Sequence, residues 1–153
     1  MEMETNLMIH LGDFGGVAVL GLAAIGSAWG SGLAGMAAIG AWKKCYLQSK
    51  AAPFLLVGFV GAPLTQTIYA FILLKMKLLA VPTTPDNFLI KLGLGVCGGI
   101  AIGVSALFQG KGAACACDAF AETRKGFAQN FIILGITETV AIFVLAFSMI
   151  VPL

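Results

Sequence analysis

The sequence predicts an all-α membrane protein of four transmembrane helices, built as two fused and duplicated helical hairpins. Three observations carry this: a composition too apolar for a soluble domain, four long apolar runs, and an internal repeat. Of the 153 residues, 59% are hydrophobic and only 10% charged, against roughly a quarter charged in ordinary soluble domains. The mean hydropathy is +0.99. A membrane helix needs about 20 mostly apolar residues. Four runs reach that length: Phe14–Trp42, Pro53–Leu74, Phe88–Phe120 and Gly126–Pro152. Barrel strands would be shorter and would alternate polar with apolar residues.

The elements follow in order. The N-terminal stretch MEMETNLMIHLGD is acidic and holds no Lys or Arg. A signal peptide opens on positive charge, so the first helix is expected to stay in the protein. Pro63 interrupts the second helix. It lacks an N–H, and its ring is expected to free the carbonyl of Phe59 and to turn that of Ala62 toward a ligand. The third run carries Lys111 and Asp118 near one end, so its last turns are expected to leave the hydrocarbon. The fourth contains a single charged side chain, Glu138. A charge at mid-bilayer costs about 2.5–3.5 kcal/mol on insertion scales, so something must compensate it.

The repeat relates TQTIYAF (Thr65–Phe71) to TETVAIF (Thr137–Phe143). GSAWGSG (Gly26–Gly32) aligns with GVSALFQGKG (Gly103–Gly112) when Ser27-Ala28 is matched to Ser105-Ala106 and two extra residues are allowed. The chain thus divides into a first hairpin over residues 1–80 and a second over 81–153. Glycine is concentrated in the first and third helices, with small-xxx-small spacings such as Gly12/Gly16, Gly26/Gly30, Gly95/Gly99 and Gly99/Gly103. Such spacings let helix backbones approach closely. Enrichment in alternate helices predicts a ring with helices one and three inside and two and four outside. Lys43, Lys44, Lys50, Arg124 and Lys125 in the hairpin loops outnumber Lys75, Lys77 and Lys91 opposite them. The hairpin loops are therefore expected in the cytoplasm and both termini outside.

The polar side chains of the apolar runs converge in depth. Gln66 and Glu138 occupy equivalent repeat positions, and Gln109 reaches the same depth when the third helix is run back from its turn near Glu122–Lys125. Two oxygens from Glu138, one each from Thr65, Gln66 and Gln109, and a backbone carbonyl would suit Na⁺. A proton needs only the carboxylate. Tyr69, three residues after Gln66, shares its helix face and can donate its hydroxyl to Glu138. Other chemistries fail. Around Lys111 a P-loop would need Gly at Ser105 and Ser or Thr at Gly112. The cysteines, Cys45, Cys97, Cys115 and Cys117, lack metal spacing and read as packing residues. His10 stands alone. No catalytic constellation and no basic cluster for nucleic acid is present.

With PLTQTIY (Pro63–Tyr69), FQGK (Phe108–Lys111) and TETVAIF in view, the chain resembles the proteolipid (K or c) subunit of V-type and A-type ATPases, especially the sodium-translocating bacterial kind. The resemblance implies a non-catalytic rotor subunit, in a homo-oligomeric c-type ring of a bacterial or archaeal-type cell membrane. Glu138 matches the ion-carrying carboxylate. Thr65, Gln66, Gln109 and the carbonyl of Ala62 match the Na⁺ ligands, and Tyr69 the carboxylate's hydrogen-bond donor. The implied partners are a stator membrane subunit with half-channels, central stalk subunits and lipid, with no organic cofactor and no nucleic acid. One carboxylate per four helices separates the chain from two-helix F-type c subunits. Proton translocation by the same ring is the alternative. A four-helix proton-coupled antiporter would place its carboxylate in the first helix instead.

Overall fold

The computed structural model describes residues 2–153, which form four long helical spans. Helix α1 runs Glu2–Leu47, α2 Leu56–Leu78, α3 Phe88–Thr123 and α4 Phe127–Ile150. All four are long and apolar enough to cross a membrane, and no strand occurs among the described residues. At 1.5 Å per residue, the 46 residues of α1 reach far past a hydrocarbon core of about 30 Å.

α1 and α3 are longer than the apolar runs that announce them. α1 begins at Glu2, not near Phe14. No Gly or Pro precedes Gly12 to break it, and Glu2 and Glu4 in the first turn favour the positive end of the helix dipole. α3 likewise continues from Phe120 to Thr123. Hydropathy marks what the membrane covers, whereas the backbone ladder runs until a breaker ends it. The α3–α4 turn supplies such a breaker: Arg124 and Gly126 both take left-handed conformations, φ 58° and 79°.

α2 is not one regular helix. Its α-helical start, Leu56–Gly61, gives way to a 3₁₀ turn over Ala62–Leu64, then to α-helix over Thr65–Leu73 and a π turn over Leu74–Leu78. Pro63 sits in the 3₁₀ turn. It does not leave the Phe59 carbonyl free, because the N–H of Ala62 donates to it. Tightening from i+4 to i+3 pairing re-satisfies the carbonyl that the proline would orphan.

α1 and α3 form the most extensive contact in the protein, and it is backbone on backbone. A Cβ added to Gly95 would lie 1.7 Å from the Gly15 carbonyl oxygen. One on Gly26 would lie 2.0 Å from the Gly103 oxygen, and one on Gly110 2.1 Å from the Gly30 Cα. The contacts climb both helices in the same direction, so α1 and α3 run parallel. Gly30 also meets Gly110, the residue that the sequence repeat aligns with it. α2 packs on α1, α3 and α4, and α4 on α3 and α2. An aromatic cluster of Phe59, Phe120, Phe127 and Phe131, with centroids 5.0–6.2 Å apart, ties α2, α3 and α4 near the hairpin loops. Lys44 of α1 pairs with Glu122 of α3 at the same end. Cys45 and Cys117 are buried, as packing residues should be, while Cys97 and Cys115 are exposed on this chain.

These contacts separate two glycines of one helix. Gly95→Ala drives a methyl into the α1 backbone and is expected to destabilise the assembled protein by about 1–3 kcal/mol, the usual cost of overpacking. Gly98→Ala meets only Leu73 and Val144 side chains at 3.7 and 3.8 Å and is expected to be tolerated. Thermal unfolding of the detergent-solubilised variants compares the two.

Candidate functional site

Glu138 is the twelfth of the 24 residues of α4, and Gln66 the eleventh of the 23 of α2. Both therefore lie at mid-height of spans that match the membrane. Gln109 comes from α3 and faces them. The three residues form one hydrogen-bonded chain. The Gln66 side-chain amide donates to Gln109 Oε1 at 2.7 Å. Gln109 Nε2 donates to Glu138 Oε2 at 3.1 Å and to the Leu134 carbonyl at 3.0 Å. Tyr69 closes the other side, its hydroxyl donating to Glu138 Oε1 at 2.6 Å. Gln66 and Gln109 are wholly buried, and Glu138 is half-buried.

Both N–H groups of Gln109 are used and its oxygen accepts a third bond, so its amide orientation is fixed by its partners. The chain gives each carboxylate oxygen a donor. Both donors, the Tyr69 hydroxyl and the Gln109 amide, are neutral groups. The cradle adds no counter-charge and holds the geometry of the carboxyl group from both sides.

Next to Gln66 lies a crowd of oxygens. The Thr65 hydroxyl is 3.0 Å from the Ala62 carbonyl and 3.2 Å from Gln66 Oε1. It carries one hydrogen and cannot donate to both. The 3₁₀ turn produces this placement, since the Ala62 carbonyl now takes its backbone bond from the N–H of Thr65 and stays beside that residue's side chain. All six residues singled out in the sequence, Ala62, Thr65, Gln66, Tyr69, Gln109 and Glu138, are thus linked by one series of polar contacts.

Other polar residues of the apolar runs sort away from the centre. The Thr137 hydroxyl donates to the Ile133 carbonyl and that of Thr139 to Ile136, within their own helix. Ser105 donates to the Thr137 carbonyl at 2.9 Å, a contact between α3 and α4 that the sequence did not bring out. The i, i+4 spacing of Ser105 and Gln109 is the signal that could have found it.

Gln109 is the residue on which this hydrogen-bonded chain turns. Gln109→Leu strips partners from Gln66 Nε2, the Leu134 carbonyl and Glu138 Oε2 together. Each unpaired buried polar group costs about 1–3 kcal/mol. The variant is expected to unfold at lower temperature in detergent than wild type, as circular dichroism would record.

No curated protein matches the chain. The family model for the C subunit of ATP synthase matches residues 92–151, the stretch that carries Gln109, Glu138 and most of both their helices. Over these 60 of its 153 residues the chain is similar to the C subunit of ATP synthase.

Proposed function

We propose that the chain is the four-helix proteolipid of a V-type or A-type rotary ATPase and that its cargo is Na⁺. Glu138 carries the ion, Thr65, Gln66, Gln109 and the Ala62 carbonyl complete its oxygen shell, and Tyr69 holds the carboxylate. The observation that carries the reading is the oxygen cluster of Ala62, Thr65 and Gln66, with one hydroxyl hydrogen among three oxygens, beside a mid-membrane carboxylate. A cation between them would use these oxygens as ligands. A proton would leave that crowding without purpose. Proton transport by the same ring is the second reading, and what favours it is that the carboxylate already has two neutral donors.

The two hairpins, 1–80 and 81–153, act as one unit with one ion. Copies of the chain assemble into a ring turned by central stalk subunits, with the hairpin loops on the cytoplasmic side and lipid around the outer helices. A stator subunit supplies the half-channels. Bound Na⁺ neutralises Glu138, so the site can pass through lipid without the cost of a bare charge. An empty, ionised site is held back at the stator. Ion passage and rotation are thereby coupled, at about 2.3 kcal/mol per charge per 100 mV.

The test is carbodiimide labelling of Glu138 in the purified ring across pH, with Na⁺ or K⁺ present. The reagent attacks the protonated acid. Protection by Na⁺ and not by K⁺ is the expected result. Labelling that follows pH alone assigns the ring to protons. Thr65→Ala and Gln66→Ala are each expected to raise the Na⁺ concentration needed for half-protection by about tenfold, the equivalent of one lost ligand worth about 1.4 kcal/mol.

A further inference from the structure

α4 is the most loosely held of the four helices. Only Leu134, Ala141 and Ser148 of its residues are buried. These recur every seven residues and so form one narrow stripe against the rest of the protein. A helix held by so narrow a seam can roll about its own axis. Rolling swings Glu138 away from Gln109 and Tyr69 toward the outside.

Two side chains of α3 oppose that roll by gripping the α4 backbone itself. Gln109 bonds the Leu134 carbonyl at 3.0 Å and Ser105 bonds the Thr137 carbonyl at 2.9 Å. Ser105 and Gln109 stand four residues apart and therefore on one face of α3. Within α4 the Leu134 carbonyl takes the N–H of Glu138, and the Thr137 carbonyl belongs to the residue just before it. The two grips thus bracket the peptide that bears the carboxylate. Ser105 is 5% exposed, so its hydroxyl has no water to exchange for this partner.

The first hairpin supplies a contrast. Ser27, aligned with Ser105 by the repeat, is likewise buried, yet its hydroxyl has no hydrogen-bond partner among the described residues. Serine at this height is therefore not fixed to its neighbour by packing alone. The bond to the outer helix exists in the hairpin that has the carboxylate.

We propose that Ser105 is a positioning residue for Glu138: its bond to the Thr137 carbonyl fixes the roll of α4 so that the carboxylate faces Gln109 and Tyr69. This rests on the reading of Glu138 as the ion carrier. The role acts through backbone, and Ser105 itself need not touch the ion.

The experiment compares Ser105→Ala, Ser105→Cys, Ser105→Thr and Ser27→Ala in the purified ring, by the rate of carbodiimide labelling of Glu138 over pH and Na⁺ concentration. Cysteine keeps the volume and donates weakly; threonine keeps the hydroxyl. Ser105→Ala and Ser105→Cys are expected to raise the Na⁺ needed for half-protection about 3- to 10-fold, the span of one net hydrogen bond. Ser105→Thr and Ser27→Ala should match wild type. If the wild-type ring responds to pH alone, the same comparison is made on the pH midpoint of labelling, which Ser105→Ala and Ser105→Cys should displace and the other two should not. Wild-type behaviour in Ser105→Cys overturns the proposal, as does an equal displacement in Ser27→Ala. A wild-type Glu138 that never reacts instead sinks the ion-carrier reading beneath it, and the proposal with it.

Discussion

The structure is organised around one electrostatic constraint: a carboxylate held halfway along a membrane helix. Glu138 cannot be hydrated there by bulk water, so each oxygen is met by a protein donor, Tyr69 on one side and Gln109 on the other. Gln109 in turn has to be buried completely and satisfied on every polar atom, which recruits Gln66 and the Leu134 carbonyl. Three helices must therefore meet at one height. The chain of amides works only if α2, α3 and α4 are close enough for bonds of 2.7–3.1 Å, and the packing elsewhere serves that closeness.

The glycines and the site are two ends of the same requirement. α3 can lean on α1 through bare backbone at Gly15, Gly26 and Gly30, leaving its opposite face free to carry Ser105 and Gln109 toward α4. The proline serves locally. By tightening one turn of α2, Pro63 leaves the Ala62 carbonyl beside the Thr65 hydroxyl, while the backbone loses no bond at Phe59.

Much of this was legible in the sequence, for identifiable reasons. Membrane helices declare themselves by unbroken apolar length, and an isolated Glu within one of them stands out. The TQTIYAF and TETVAIF repeat placed Gln66 level with Glu138, and an antiparallel count from the Glu122–Lys125 turn brought Gln109 to the same depth. Helix ends were less legible, since α1 runs through the acidic segment that hydropathy treats as outside. Pro63 suggested an orphaned Phe59 carbonyl because a side-chain rule says what is broken, not how neighbouring turns readjust. The pairing of Ser105 with the Thr137 carbonyl was hidden for another reason: a backbone acceptor has no letter in a sequence.

The two hairpins also differ in how they are closed. Between α3 and α4 only Arg124, Lys125 and Gly126 intervene, two of them in left-handed conformations that leave the turn little freedom. Between α1 and α2 the chain takes a longer path through Ala51, Ala52 and Pro53 before the helix resumes. The longer loop is pinned as well: Ser49 is left-handed, the Lys50 N–H donates to the Cys45 carbonyl at 2.9 Å, and Trp42 Nε1 donates to the Pro53 carbonyl at 2.8 Å. Arg124 of the short turn also donates to the Ala51 carbonyl of the longer loop, so the two hairpin ends are laced into a single tied edge.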